Sequence, residues 1–252
     1  MLDLGLSGAI VLITGGASGI GAACAKAFAA EKCHIVILDC NRSAGEKMEA
    51  DIDLCRFIET DITSDIDVSS AIELIMAEYG KLDVVLCCAG ISGPVGKNIC
   101  DIESAQWERV MAVNLGGIYR TARFCIPALL QSPIATMLVI ASDSSFLAYP
   151  GMSVYSASKG GVLMLVKALA VDHPDLRINC LCPSLVETPM AIADLGLDGD
   201  TLRKMGVPVI LPSQLATHAL FLASPISAPI NGASLVVDFG YMARPAFPQP
   251  AF

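Results

Sequence analysis

Charge is scarce in this chain. Only 16% of its 252 residues are Asp, Glu, Lys or Arg, and 25 acids outnumber 16 bases for a net charge of −9. That leaves no clustered Lys and Arg, which excludes nucleic acid and an anionic membrane as main partners, since cation arrays hold both. Histidine is as sparse. His34, His173 and His218 stand at no ligand spacing from a cysteine, so no metal site is expected. The ten cysteines contain no C-x-x-C pair, and most lie inside apolar runs. They read as small buried hydrophobes in a reducing setting, the cytoplasm.

Unbroken apolar runs are missing too. Residues 4–25 and 205–237 carry no Asp, Glu, Lys or Arg, but glycines interrupt the first, and Pro208, Pro212, Pro225 and Pro229 cut the second. Neither reads as the run of about 20 apolar residues that spans a bilayer. No Lys or Arg precedes Lys26, so the basic start of a signal peptide is lacking. No linker, repeat or charge block divides the chain, and residues 1–252 are expected to form one domain. Disorder is excluded by a 54% hydrophobic composition.

What is present is alternation. Short apolar runs at 9–13, 34–38, 55–59, 84–88, 137–141, 178–182 and 233–237 predict strands. Helical patterns at 21–30, 68–79, 104–130, 153–171 and 213–223 fall between them. The strands are continuously apolar, which suits a parallel sheet covered on both faces. The expected fold is a doubly wound, Rossmann-type α/β domain with a seven-stranded parallel sheet. Residues 187–211 break the rhythm after a strand end, where such sheets bind ligands, and read as a substrate lid over about 188–211. The tail after Gly240, with three prolines, is expected to be extended.

Three local patterns carry chemistry. Thr14-Gly15-Gly16-Ala17-Ser18-Gly19-Ile20-Gly21 joins the first strand to the first helix. Glycines there let backbone N–H groups approach a phosphate at a helix N-terminus. Ordinary turns also use glycine, and the strand–turn–helix context raises the phosphate reading. Asp39 ends the second strand, where an acid hydrogen-bonds adenosine ribose hydroxyls and repels a 2′-phosphate, favouring NAD over NADP. A turn or helix-cap aspartate is the alternative there. Tyr155 and Lys159, four apart, share one helix face, as ordinary surface pairs also do. Ser142 ends the preceding strand. Asn114 interrupts an apolar stretch, where a buried Asn is most often satisfied by backbone.

Together these residues resemble the short-chain dehydrogenase/reductase family, over residues 8–241. The resemblance rests on the glycine turn, Asp61-Ile62, Ala89-Gly90, Asn114, Ser142, Tyr155-x-x-x-Lys159, and Pro183 through Thr188-Pro189. It implies Tyr155 as general acid/base, its phenol made acidic by Lys159 and by the nicotinamide of NAD. Bringing a tyrosine from about 10 to about 7 is worth roughly 4 kcal/mol. It also implies Lys159 on the nicotinamide ribose, Ser142 on the substrate oxygen, and Asn114 holding a water in the proton path. Gly15, Ser18, Gly19, Ile20 and Gly21 would hold the diphosphate, Asp39 the ribose, and Asp61 and Ile62 the adenine. Ala89 and Gly90 join the cofactor cleft, with Pro183, Val186 and Thr188 at the carboxamide end.

The family's Asn-Asn-Ala-Gly reads Cys87-Cys88-Ala89-Gly90 here, its Pro-Gly reads Pro183-Ser184, and its Asp-Gly-Gly reads Asp238-Phe239-Gly240. The expected substrate is a small apolar secondary alcohol or ketone, aromatic or alicyclic. Met190, Ile192, Leu195, Leu197 and Met205 on the lid, and Phe146, Leu147, Tyr149 and Met152 after Ser142, are candidates to line its pocket. A ketoacyl-carrier, sugar or steroid reductase and a non-catalytic nucleotide sensor are the alternatives. The resemblance also implies a homotetramer, its helices 104–130 and 153–171 pairing across two-folds.

Overall fold

In the computed structural model, residues 3–204 and 206–243 are described. Seven strands form one sheet: β1 (Ile10–Thr14), β2 (His34–Asp39), β3 (Cys55–Glu59), β4 (Val84–Cys87), β5 (Thr136–Ile140), β6 (Arg177–Pro183) and β7 (Ser234–Val237). Their order is β3-β2-β1-β4-β5-β6-β7, with every neighbouring pair parallel. This is the seven-stranded, Rossmann-like arrangement expected from the sequence.

Alternate side chains of each strand enter opposite cores. Ile10 and Leu12 pack with the helices α3 (Asp65–Tyr79), α5 (Gly117–Leu129) and α6 (Ser153–Asp172). Val11 and Ile13 pack with α1 (Gly19–Ala30), α2 (Arg42–Asp51) and α9 (Pro212–Ala223). Burial on both faces is why the strands read as unbroken apolar runs. By length and composition α6 could cross a bilayer; here Val162, Val166 and Ala170 bury it in the first core.

The structure corrects four expectations. The helix α2 has no counterpart in the hydrophobic pattern, because Gly45 and Met48 are its only buried residues and the rest is charged or small. The helix expected over 104–130 is α4 (Ser104–Met111) and α5, joined by a π-helical turn at Ala112–Gly116. Residues 187–211 hold two short helices, α7 (Pro189–Leu195) and α8 (Gly199–Arg203), capped by the Thr188 and Asp198 side chains. A parallel bridge between Val186 and Ile210 ties the two ends of that segment together. The tail after Gly240, expected to be extended, begins instead as a turn, the Tyr241 N–H donating to Asp238 O at 3.0 Å and the Ala243 N–H to Gly240 O at 3.2 Å; Met205 and residues 244–252 lie outside the described residues. All ten cysteines are unpaired.

Candidate active site

The strand order reverses between β1 and β4, and open sheets of this kind bind ligands in the crevice beyond the strand ends there. Gly15 leaves β1 with φ +66°, and a Cβ on it would lie 2.7 Å from Ala89 Cα, so the two loops touch backbone to backbone. The Cys88 N–H donates to Thr14 O at 3.0 Å. Main-chain pairing thus braces β4 where the family pattern has asparagines. Burial pushes the Cys87 thiol up to about 12, which keeps it protonated.

Ser18 precedes α1, and its side chain makes no capping hydrogen bond. The first-turn N–H groups and the positive end of the helix dipole therefore have no side-chain acceptor there, a donor set suited to a diphosphate. Asp39 Oδ2 accepts from the Ala17 N–H at 3.1 Å, and Oδ1 from the Asn41 N–H at 3.0 Å. The carboxylate therefore braces the glycine turn, and Asn41, not Asp39, caps α2. The nearest cation, Arg42, is ion-paired with Glu59. Asp61 follows β3 and accepts from the Thr63 N–H and hydroxyl, both at 2.8 Å. The Ile62 side chain is buried against Gly117 of α5.

Beyond the glycine turn lies a crevice of about 500 Å³. Of the expected site residues, Ile20, Gly90, Ser142, Tyr155, Lys159, Pro183, Val186 and Thr188 line it. Gly15, Ser18, Gly19, Gly21, Asp39, Asp61, Ile62 and Ala89 do not; they follow the ends of β1 to β4 along the same sheet edge. Tyr149, Met152, Met190 and Leu195 also line the crevice. Phe146 and Leu147 do not: they are 45% and 37% exposed and lie outside it, a correction to the sequence reading. Ile192 and Leu197 are likewise absent from its wall.

Lys159 is 5% exposed and donates to Ile140 O at 2.8 Å. Its Nζ stands 5.7 Å from the centre of the Tyr155 ring, and burial lowers its pKa to about 8. Tyr155 is pushed up to about 12, first by burial and further by the charges of Asp143 and Asp194, while the Ser142 hydroxyl pulls the other way. The expectation of an acidic phenol is thus not met by the protein's own groups, because desolvation and the charges of Asp143 and Asp194 outweigh the pull of Ser142, whose hydroxyl proton is directed to the Asp143 carboxylate. Asn114 is fully buried in the π-turn. Its Oδ1 accepts from the Ile91 N–H at 2.9 Å, and its Nδ2 donates to Ile91 O at 2.9 Å and Ser158 Oγ at 3.0 Å. Both amide protons are therefore spent on bracing, and only the second lone pair of Oδ1 is left; a Cβ on Gly90 would stand 3.4 Å from that oxygen and 3.8 Å from Lys159 Nζ.

Two crevice acids were not foreseen. Asp143 follows Ser142 directly, and Asp194 on α7 accepts a hydrogen bond from Ser92 Oγ. Asp143 was visible in the sequence as a charge next to a candidate serine at the end of an apolar strand.

A protein-family model described as enoyl-(acyl carrier protein) reductase matches residues 15–242. The chain belongs to the short-chain dehydrogenase/reductase family, a family of oxidoreductases. It is 34% identical over 248 residues to 2-(R)-hydroxypropyl-CoM dehydrogenase of Xanthobacter autotrophicus, covering 93% of this chain and 98% of that protein. It is also 34% identical to the mitochondrial borneol dehydrogenase of Lavandula x intermedia, covering 93% and 91%. Among solved structures, a 3-ketoacyl-(acyl-carrier-protein) reductase from Brucella melitensis, complexed with NADH, superposes with a TM-score of 0.85. Its identity is 32%, covering 93% of this chain and 98% of that one.

Proposed function

We propose that this short-chain dehydrogenase/reductase interconverts a secondary alcohol and a ketone with NAD, taking a compact apolar substrate. The observation that carries the reading is the convergence of Ser142, Tyr155 and Lys159 on one largely apolar crevice, in line with a glycine turn that suits a diphosphate. Asp39 and the pairing of Arg42 with Glu59 support NAD over NADP, since a 2′-phosphate would meet the Asp39 carboxylate while Arg42 is engaged by Glu59. The relatives that act on borneol and on a hydroxypropyl group are consistent with an alcohol carbon as the reacting centre.

The chain's own residues divide the work. The glycine turn and the α1 N-terminus hold the diphosphate, Asp39 the adenosine ribose, and Asp61 and Ile62 the adenine. Gly90, Pro183, Val186 and Thr188 wall the nicotinamide end. A nicotinamide cofactor held there would supply hydride transfer at the carbinol carbon and, in its oxidised form, a positive charge in the crevice. Tyr155 Oη takes the hydroxyl proton in oxidation and returns it in reduction. Lys159 holds the nicotinamide ribose and adds positive charge under the phenol, and Ser142 Oγ fixes the substrate oxygen. Asn114 Oδ1 keeps an acceptor beside Lys159 for a water in the proton path.

A panel of secondary alcohols with NAD⁺ and NADP⁺, read by absorbance of the reduced cofactor, tests this. We expect kcat/KM to be at least 10-fold higher with NAD⁺, equivalent to about 1.4 kcal/mol. No turnover with any alcohol, despite dinucleotide binding, would end the oxidoreductase reading; a preference for NADP⁺ would end the Asp39 argument. The NADH-bound ketoacyl reductase favours a second reading, a carrier-linked ketoacyl substrate. A ketoacyl thioester in the same panel decides it, and the net charge of −9 disfavours docking of an acidic carrier.

A homotetramer built on α5 and α6 belongs to the same proposal. Exposed Tyr119 on α5 and Met164 and Val171 on α6 supply apolar surface for it. Sedimentation at micromolar concentration is expected to give four chains; a monomer contradicts it.

A further inference from the structure

Asp143 is 6% exposed, and among the described residues it takes part in no ion pair. Hydroxyls satisfy it instead. Its Oδ1 accepts from Ser142 Oγ at 3.0 Å and, at 3.5 Å, from Ser144 Oγ; its Oδ2 accepts from Tyr149 Oη at 2.8 Å. The tyrosine reaches back six residues to close this ring.

A serine hydroxyl has one proton and two lone pairs. The Ser142 proton goes to Asp143, and one lone pair takes the Ser144 N–H at 3.1 Å. What Ser142 has left for the crevice is an acceptor. A C–OH group can donate to it. A C=O group cannot, and binds only if Ser142 turns its proton away from a buried carboxylate.

We propose that Asp143 is a positioning residue that holds Ser142 as a hydrogen-bond acceptor, so that the site favours the alcohol over the ketone as its bound substrate. This rests on the reading of Tyr155 as the proton-transfer group, and adds which substrate form the ground state recognises. The same carboxylate acts on Tyr155 through its charge. The titratable groups lining the crevice with Tyr155 are Asp143, Tyr149, Lys159, Cys88, Asp194 and Tyr241. Asp143 is the one that touches Ser142, and its charge raises the phenol's pKa alongside that of Asp194. Removing it makes the phenol more acidic and leaves the Ser142 proton freer for a carbonyl.

Asp143→Asn keeps the shape and replaces a charged acceptor by a neutral one, roughly half as strong. In this variant the ketone KM of a matched alcohol/ketone pair is expected to fall about 5-fold relative to the alcohol KM. The alkaline limb of alcohol oxidation is expected to move down by about one pH unit. Tyr149→Phe has the opposite sign, because Asp143 loses a donor and grips the Ser142 proton harder: the limb moves up and the ketone KM rises. A third readout needs no turnover. The tyrosinate absorbance of Tyr155, isolated by subtracting the Tyr155→Phe protein, titrates at lower pH in Asp143→Asn.

Activity lowered in Asp143→Asn with limb, KM ratio and tyrosinate titration all unmoved would show a structural role only and overturn the proposal. So would a downward limb in Tyr149→Phe, which also serves as the test if Asp143→Asn does not fold. If the wild-type chain turns over no alcohol while the tyrosinate titration shifts as stated, the oxidoreductase reading fails and the coupling of Asp143 to Tyr155 stands.

Discussion

Tyr155→Phe is expected to lower kcat by about 10³-fold or more while leaving dinucleotide affinity within about 2-fold. Phe keeps the ring, so α6 packing and the placement of Lys159 beneath it at 5.7 Å are retained. Only the proton acceptor is lost. The pH profile adds a sign. Burial and two acids hold the phenol at about 12 in the protein alone, so the fraction ionised at neutral pH is tiny. Each unit by which the nicotinamide charge lowers it is worth about 1.4 kcal/mol and raises the ionised fraction tenfold. Alcohol oxidation therefore rises with pH up to the lowered phenol value, and reduction, which needs the protonated phenol, falls over the same range. Stopped-flow kinetics against pH, with dinucleotide binding by fluorescence, check both parts. A Tyr155→Phe protein that still turns over, or an oxidation rate flat in pH, would remove Tyr155 from its role.

How far the sequence reached depends on whether a feature is local. The strand–glycine turn–helix unit and the pair Tyr155 and Lys159 were legible because backbone geometry and one helical turn decide them within a few residues. The helix α2 was not, since Gly45 and Met48 give no apolar stripe; Gly45 is there because the Phe57 ring lies against it. The turn around Asn114 was read as plain helix, because its π geometry is tied to hydrogen bonds with Ile91, far away in sequence. Asp83 shows the same limit. It is 1% exposed and pairs with its near neighbour Lys81, but it also accepts from the Ile10 N–H and the Ser132 hydroxyl, two partners that only the fold brings to it. The helices α7 and α8 had a local signal, a Thr188 cap before Pro189 and an Asp198 cap, but at seven and five residues they are too short for a helical apolar period to show.

The glycine turn separates what the fold needs from what a ligand needs, and two substitutions divide them. A Cβ on Gly21 would stand 2.2 Å from the Gly15 carbonyl oxygen and 3.0 Å from Gly16 Cα, both backbone atoms that cannot rotate away. Gly21→Ala must therefore push α1 off the turn, and α1 carries Cys24, Ala25 and Phe28 into the second core. The expected loss of stability is about 3 kcal/mol, with dinucleotide binding weakened at least 10-fold. Ser18 is the counterpart. Its side chain caps nothing in the protein, so Ser18→Ala is expected to leave stability within about 0.5 kcal/mol and still weaken binding, through loss of a hydroxyl facing the anion. Urea unfolding midpoints and NADH fluorescence titrations of the two variants give the comparison. A Gly21→Ala chain with an unchanged midpoint would mean that α1 does not pack this closely on the turn. A Ser18→Ala chain that loses stability but binds NADH normally would make the turn a fold element alone and detach the diphosphate from it.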